Sequence, residues 1–156
     1  MAVDLLLNRT PAEEVAVGKI LCATRGGEES EETQAGAIAL ARERGDELIF
    51  LYVADASFLN RIAAPLVVDV EGELDRMGRF QLAMACEQAA AQGVKARAIV
   101  RHGRLQTELA AVAHELEVTL VVLGRPRAGV PVFDDEALRS FVDRLQDQTG
   151  AEVRVL

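Results

Sequence analysis

Five short apolar runs, rich in leucine and β-branched residues, alternate along this chain with longer stretches whose apolar positions recur every three or four residues. The runs are Lys19 to Thr24, Leu48 to Val53, Val94 to Val100, Val118 to Gly124 and Ala151 to Leu156. Between them, segments at about 30–44, 70–92, 104–117 and 134–149 carry the period of amphipathic helices. Leu105, Leu109, Val112, Ala113 and Leu116 share one stripe of the third; Leu138, Phe141, Val142 and Leu145 share one of the fourth.

Glycine punctuates this alternation. Gly45, Gly93 and Gly150 each close a helical stretch one or two residues before a strand-like run, where a left-handed residue caps a helix. The order βαβαβαβαβ predicts an α/β fold, a doubly wound five-stranded parallel sheet with right-handed crossovers and helices on both faces. The third and fifth runs alternate polar with apolar residues, Lys95 and Arg97 against Ala96 and Ala98, Glu152 and Arg154 against Val153 and Val155. Those two are expected at the sheet edges and the other three at its centre. Residues 1–18 form a leader of open role, containing Leu5-Leu6-Leu7, and the domain runs over 19–156. The connection over 55–69 holds Phe58, Leu59, Ile62, Leu66, Val67 and Val68, which reads as a lid or a subunit contact rather than an idle loop.

Length and composition narrow the partners. A chain of 156 residues, half of them hydrophobic, fits one domain. A net charge of −8 argues against nucleic-acid and anionic-membrane partners, because the long-range field repels polyanions. No window approaches a membrane span and no basic, apolar leader of the secretory kind opens the chain, so a cytoplasmic location is expected. Cys22 in a strand and Cys86 in a helix, without a second cysteine at metal spacing, read as buried, reduced thiols.

Candidate chemistry centres on the fourth run. A buried strand ending in Gly124 delivers its carboxyl end to a loop, the place where open α/β sheets bind ligands. A nucleotide site would want glycines there, and the chain has Arg125-Pro126-Arg127-Ala128-Gly129 instead. Proline removes a backbone donor, and the carboxylates Asp134, Asp135 and Glu136 stand where a phosphate would use the helix dipole. Only Lys19 and Lys95 among the 17 basic residues are lysine, and Arg25, Arg101, Arg104, Arg125 and Arg127 fall at or just beyond strand carboxyl ends. Two readings of these arginines stay open: an internal network with Glu28, Glu29, Asp55, Asp134 and Asp135, or a local site for a phosphorylated or carboxylated small molecule. His102 and His114 lack companions at metal spacing, Ser30 and Thr33 read as caps of the first helix, and Tyr52 reads as core. No nucleophile elbow, P-loop or dinucleotide motif is present, so no catalytic residue, metal or cofactor is expected and the chain reads as non-enzymatic.

Lys19 to Ser30, the alanine-rich helix to Gly45, Leu51-Tyr52-Val53, Arg101-His102-Gly103 and Val121-Val122-Leu123-Gly124 together resemble, in order and spacing, the universal stress protein family. The resemblance implies a strand order 3-2-1-4-5, a homodimer through the C-terminal strand, and a ligand pocket at Ala23, Thr24, Arg25, Val53, Leu123, Gly124, Arg125, Arg127, Gly129 and Ser140. In nucleotide-binding members the first strand ends Ala-Thr-Asp-Gly-Ser; here Arg25 stands at the Asp position, and a guanidinium accepts no hydrogen bond from an amine or ribose hydroxyl. Of that branch's glycine motif after the fourth strand, Gly124 alone keeps its register, with Arg127 and Ala137 at the other glycine positions. The expected function is a stress-response or regulatory module with a degenerate nucleotide site. The alternatives are an ATP- or AMP-binding member with an altered pocket and a free-standing sensor of small anions.

Overall fold

The apolar runs become strands and the amphipathic stretches become helices in a computed structural model that describes residues 18–24, 28–54, 70–124 and 135–156. The elements are β1 (Lys19–Thr24), α1 (Glu28–Arg44), β2 (Glu47–Ala54), α2 (Val70–Ala91), β3 (Ala96–His102), α3 (Leu105–Glu115), β4 (Leu120–Leu123), α4 (Asp135–Thr149) and β5 (Glu152–Val155). Every strand pair is parallel and the order is β3-β2-β1-β4-β5, which puts β3 and β5 at the edges as their alternation requires. The leader up to residue 17 and the 55–69 connection lie outside the described residues.

The sheet separates two cores. On one face Ile20, Cys22, Leu48, Phe50, Leu120 and Val122 pack against Ala37, Ile38 and Ala41 of α1 and Leu82, Ala85 and Ala89 of α2. On the other, Leu21, Ile49, Leu51 and Val121 meet Leu109, Val112 and Ala113 of α3 and Phe141 and Leu145 of α4. Period two in the strands thus serves two different helix layers at once, which is why the central runs are apolar throughout. Tyr52 is in the first core, as expected. It faces α2 at Gly78, where a Cβ would come within 2.5 Å of the ring, so this glycine sets how closely α2 approaches β2.

Several boundaries differ from the sequence reading. Helix α1 begins at Glu28, so Ser30 and Thr33 are interior residues rather than caps. Strand β3 starts at Ala96, two residues later than expected; Val94 is spent on the core just before it, and Ala98 is exposed on the edge strand. The three glycine joints hold, with φ of 70°, 76° and 70° at Gly45, Gly93 and Gly150. A fourth joint carries no glycine: after α3, Glu117 takes φ 53° while Val118 N–H bonds the Ala113 carbonyl. Cys22 is fully buried, but Cys86 is only half-buried because it sits on the flank of α2. No helix among the described residues is long and apolar enough to cross a membrane.

Candidate functional site

In a 3-2-1-4-5 sheet the chain leaves β1 toward one side and β4 toward the other, and the gap between their carboxyl ends is the ligand crevice of such folds. Cys22 pairs with Val122 at the end of this seam, and Thr24 and Gly124 each follow two residues beyond it. Thr24 is buried, and its Oγ1 accepts a hydrogen bond of 3.0 Å from Nε2 of Gln34 on α1. One residue earlier on the same helix, buried Thr33 lies against Gly124: a Cβ placed there would stand 2.7 Å from the Thr33 hydroxyl oxygen. Gly124 is therefore needed for close packing with α1, a demand separate from any phosphate.

This cluster was only half legible in the sequence. Thr24 and Gly124 stand out at the strand ends, whereas Gln34 belongs to no motif and Thr33 reads as a cap. Helical phase is the signal that would have found them, since 33, 34, 37, 38 and 41 form one continuous buried stripe whose first two members happen to be polar. Among the described residues no buried side-chain nitrogen or oxygen lacks a hydrogen-bond partner, and the Gln34–Thr24 bond is one of those that meet this demand.

Three of the remaining expected positions share the opposite face of the sheet. Ala23 and Val53 are half-buried and turn toward the α3–α4 core, and Leu123 is buried in it. Ser140 is exposed on the second turn of α4. Arg25, Arg125, Arg127 and Gly129 lie outside the described residues, as does Asp134. Of the other strand-end arginines, Arg101 pairs with Glu115 at the end of α3, a partner absent from the acids named above, while Arg104 is the exposed residue preceding that helix. Both histidines are exposed. An open groove of ≈ 380 Å³ runs between α3 and α4, floored by Phe141 and Leu145 and edged by Arg144 and Gln148. None of the expected site residues lines it, and it belongs to the helix layer rather than to the strand ends.

The family model described as "Universal stress protein family" matches residues 16–145, most of the chain. The protein belongs to the universal stress protein family. Solved structures of similar fold agree. A universal stress protein from Burkholderia pseudomallei superposes with a TM-score of 0.68 at 20% identity, covering 90% of this chain and 96% of that one. A universal stress protein in complex with cAMP gives 0.61 at 18% identity, over 90% and 97% of the two chains. The universal stress protein from Archaeoglobus fulgidus in complex with dAMP gives 0.61 at 12%, over 89% and 96%. No curated protein matches this chain in sequence. At such identities the likeness establishes the shared fold, and the chemistry of the crevice has to be argued from this chain's own residues.

Proposed function

We propose that this universal stress protein is a non-enzymatic cytoplasmic regulatory module whose nucleotide site has degenerated. The observation that carries the reading is the state of the crevice between β1 and β4. Its one described polar side chain at the strand ends, Thr24, accepts a hydrogen bond from Gln34, and the space over Gly124 is taken by Thr33. The sequence adds the loss of an acceptor at Arg25 and of two glycines at Arg127 and Ala137, together with Pro126 in the loop. A ligand using this crevice would have to break internal hydrogen bonds and would find no acceptor carboxylate at the first strand's end. MgATP is therefore expected to bind no tighter than about 100 μM, or roughly −5.5 kcal/mol. Titration calorimetry with MgATP and AMP checks this, and a micromolar dissociation constant, or nucleotide carried through purification, overturns it.

The second reading, a nucleotide-binding member with an altered pocket, is supported by the cAMP and dAMP complexes of two proteins sharing this fold. The same calorimetry separates it from the first. A third, a weak site for small phosphorylated or carboxylated ligands at Arg25, Arg125 and Arg127, predicts anion-specific thermal stabilisation that Arg125→Ala with Arg127→Ala removes.

The module acts as a homodimer through β5. That strand is a free edge with Val153 and Val155 on one face and Glu152 and Arg154 on the other. An antiparallel two-fold pairing about Val153 sets Glu152 opposite Arg154 of the partner subunit twice, which selects this register over its neighbours.

A further inference from the structure

The groove between α3 and α4 owes its width to two unequal faces. Toward it α3 sets the short side chains of Thr107, Ala110 and Ala111, while α4 sets Phe141 and Leu145, one turn apart. Packed helices close the space between them when long side chains from both interdigitate, and here one side has none to offer. The core beneath is intact, because Phe141 and Leu145 join Leu109, Val112 and Ala113 in it. What stays open above is ≈ 380 Å³, a volume in the range of small-molecule sites. From Phe141 to Gln148 it runs about 10 Å at the helical rise.

The polar lining decides what such a space accepts. Among the described lining residues Arg144 is the only charged one, and Gln106, Thr107 and Gln148 are neutral donors and acceptors. Asp143 and Asp147 flank Arg144 along α4, yet among the described residues Arg144 joins no ion pair and lines the groove instead. Gln148 follows it by four residues on the same face, so guanidinium and amide can meet on one carboxylate while the rest of a ligand covers the apolar floor. One cation matches one negative charge. A doubly charged phosphate would keep a surplus charge beside Asp143 and Asp147, and a neutral molecule would leave the guanidinium to water.

We propose that this groove is a binding site for a small monocarboxylate with an apolar body. Arg144 and Gln148 hold the carboxylate, and Ala110, Ala111 and Leu145 carry the body. The site is separate from the crevice at the strand ends, none of whose residues lines it, and stands whether or not a nucleotide binds there. Its open side leaves a ligand partly in water, so a minimal occupant binds with a dissociation constant on the order of 1 mM.

3-Phenylpropionate is the probe, titrated to roughly 20 mM, well above that constant, into the isotope-labelled full chain at about pH 7.5 and followed by backbone amide signals. Signals of residues 106–111 and 141–148 are expected to move together and saturate. The neutral 3-phenylpropionamide should bind about fivefold more weakly, and phenyl phosphate, doubly charged at this pH, no more tightly than the carboxylate. In Arg144→Gln, an exposed position, the acid and its amide should bind alike, while Ala111→Leu fills the groove and weakens both. Four results overturn the proposal: no saturable movement of these signals, a preference for the acid that survives Arg144→Gln, tighter binding of phenyl phosphate, or undiminished binding to a folded Ala111→Leu variant. Movement confined to residues 23–24 and 123–124 also overturns it, since that would put the carboxylate at the strand ends.

Discussion

Cys22 shows how burial alone sets the behaviour of a reactive side chain. It pairs with Phe50 and Val122 in the middle of the sheet, and desolvation pushes its thiol up to about 12 from an ordinary value near 9.0. Cys86 is also raised by burial, but less of it is covered. Because the folded state holds the Cys22 proton more tightly than the unfolded chain, this contribution is fully present below pH 9 and drains away as pH rises toward 12. The loss approaches about 1.4 kcal/mol per pH unit inside that window. Urea denaturation of wild type and Cys22→Ala from pH 7 to 11 should give a stability gap that is constant up to about pH 8.5 and narrows above 9. Titrations common to both proteins cancel in the difference. Parallel curves to pH 11 would refute the assignment.

At the scale of elements, the joints between helix and strand were the most legible feature of the sequence, and the exception among them is instructive. Three joints use glycine, whose left-handed backbone costs nothing in steric strain, and the positive φ values there follow directly. The α3–β4 joint needs the same geometry, as the Leu116, Glu117 and Val118 N–H bonds to α3 carbonyls show, but supplies glutamate at φ 53°. A side chain in that region costs about 1 kcal/mol, repaid here by the buried Val118 that follows. Glu117 is exposed, so its side chain gives little in return. Glu117→Gly is expected to stabilise the protein by about 0.5–1 kcal/mol, seen as a higher urea midpoint at unchanged slope. A lower midpoint would mean that the glutamate has a role in the surface beyond the turn.

Across the whole molecule, the two sheet edges are treated differently. The β3 edge carries arginines held by acids of other elements, Arg97 with Glu47 at 3.0 Å and Arg101 with Glu115. Charges of this kind discourage further strand pairing. On β5, Glu152 bonds Arg154 of its own strand at 3.3 Å and lies 4.0 Å from Arg44 of α1, and the pair within the strand is one that two antiparallel copies can exchange for cross-strand pairs. Glu152→Arg should lower dimer formation at tens of micromolar by about five- to tenfold, and Arg154→Glu added to it should restore the dimer. Sedimentation velocity reads both. Equal dimerisation in wild type and single variant would place the interface elsewhere.

The sequence by itself determined the element order, the parallel sheet, its edges and three of its four helix-to-strand joints, because these depend on local period and on backbone geometry that one residue can fix. It also pointed to β1 and β4 as the strands that frame the crevice, through Thr24 and Gly124. Only the tertiary structure decided which side chains of α1 meet those two strand ends. Gln34 meets Thr24, and Thr33 meets Gly124, across a helix–sheet contact that no local pattern encodes. Likewise, composition gave α2 apolar residues without saying which side they occupy. The close approach of Gly78 to Tyr52 fixes the helix's rotation, and that rotation leaves Met77, Phe80 and Met84 facing outward. Period and propensity are properties of the chain, whereas the pairing of distant side chains is settled when two elements come close enough to exclude water between them.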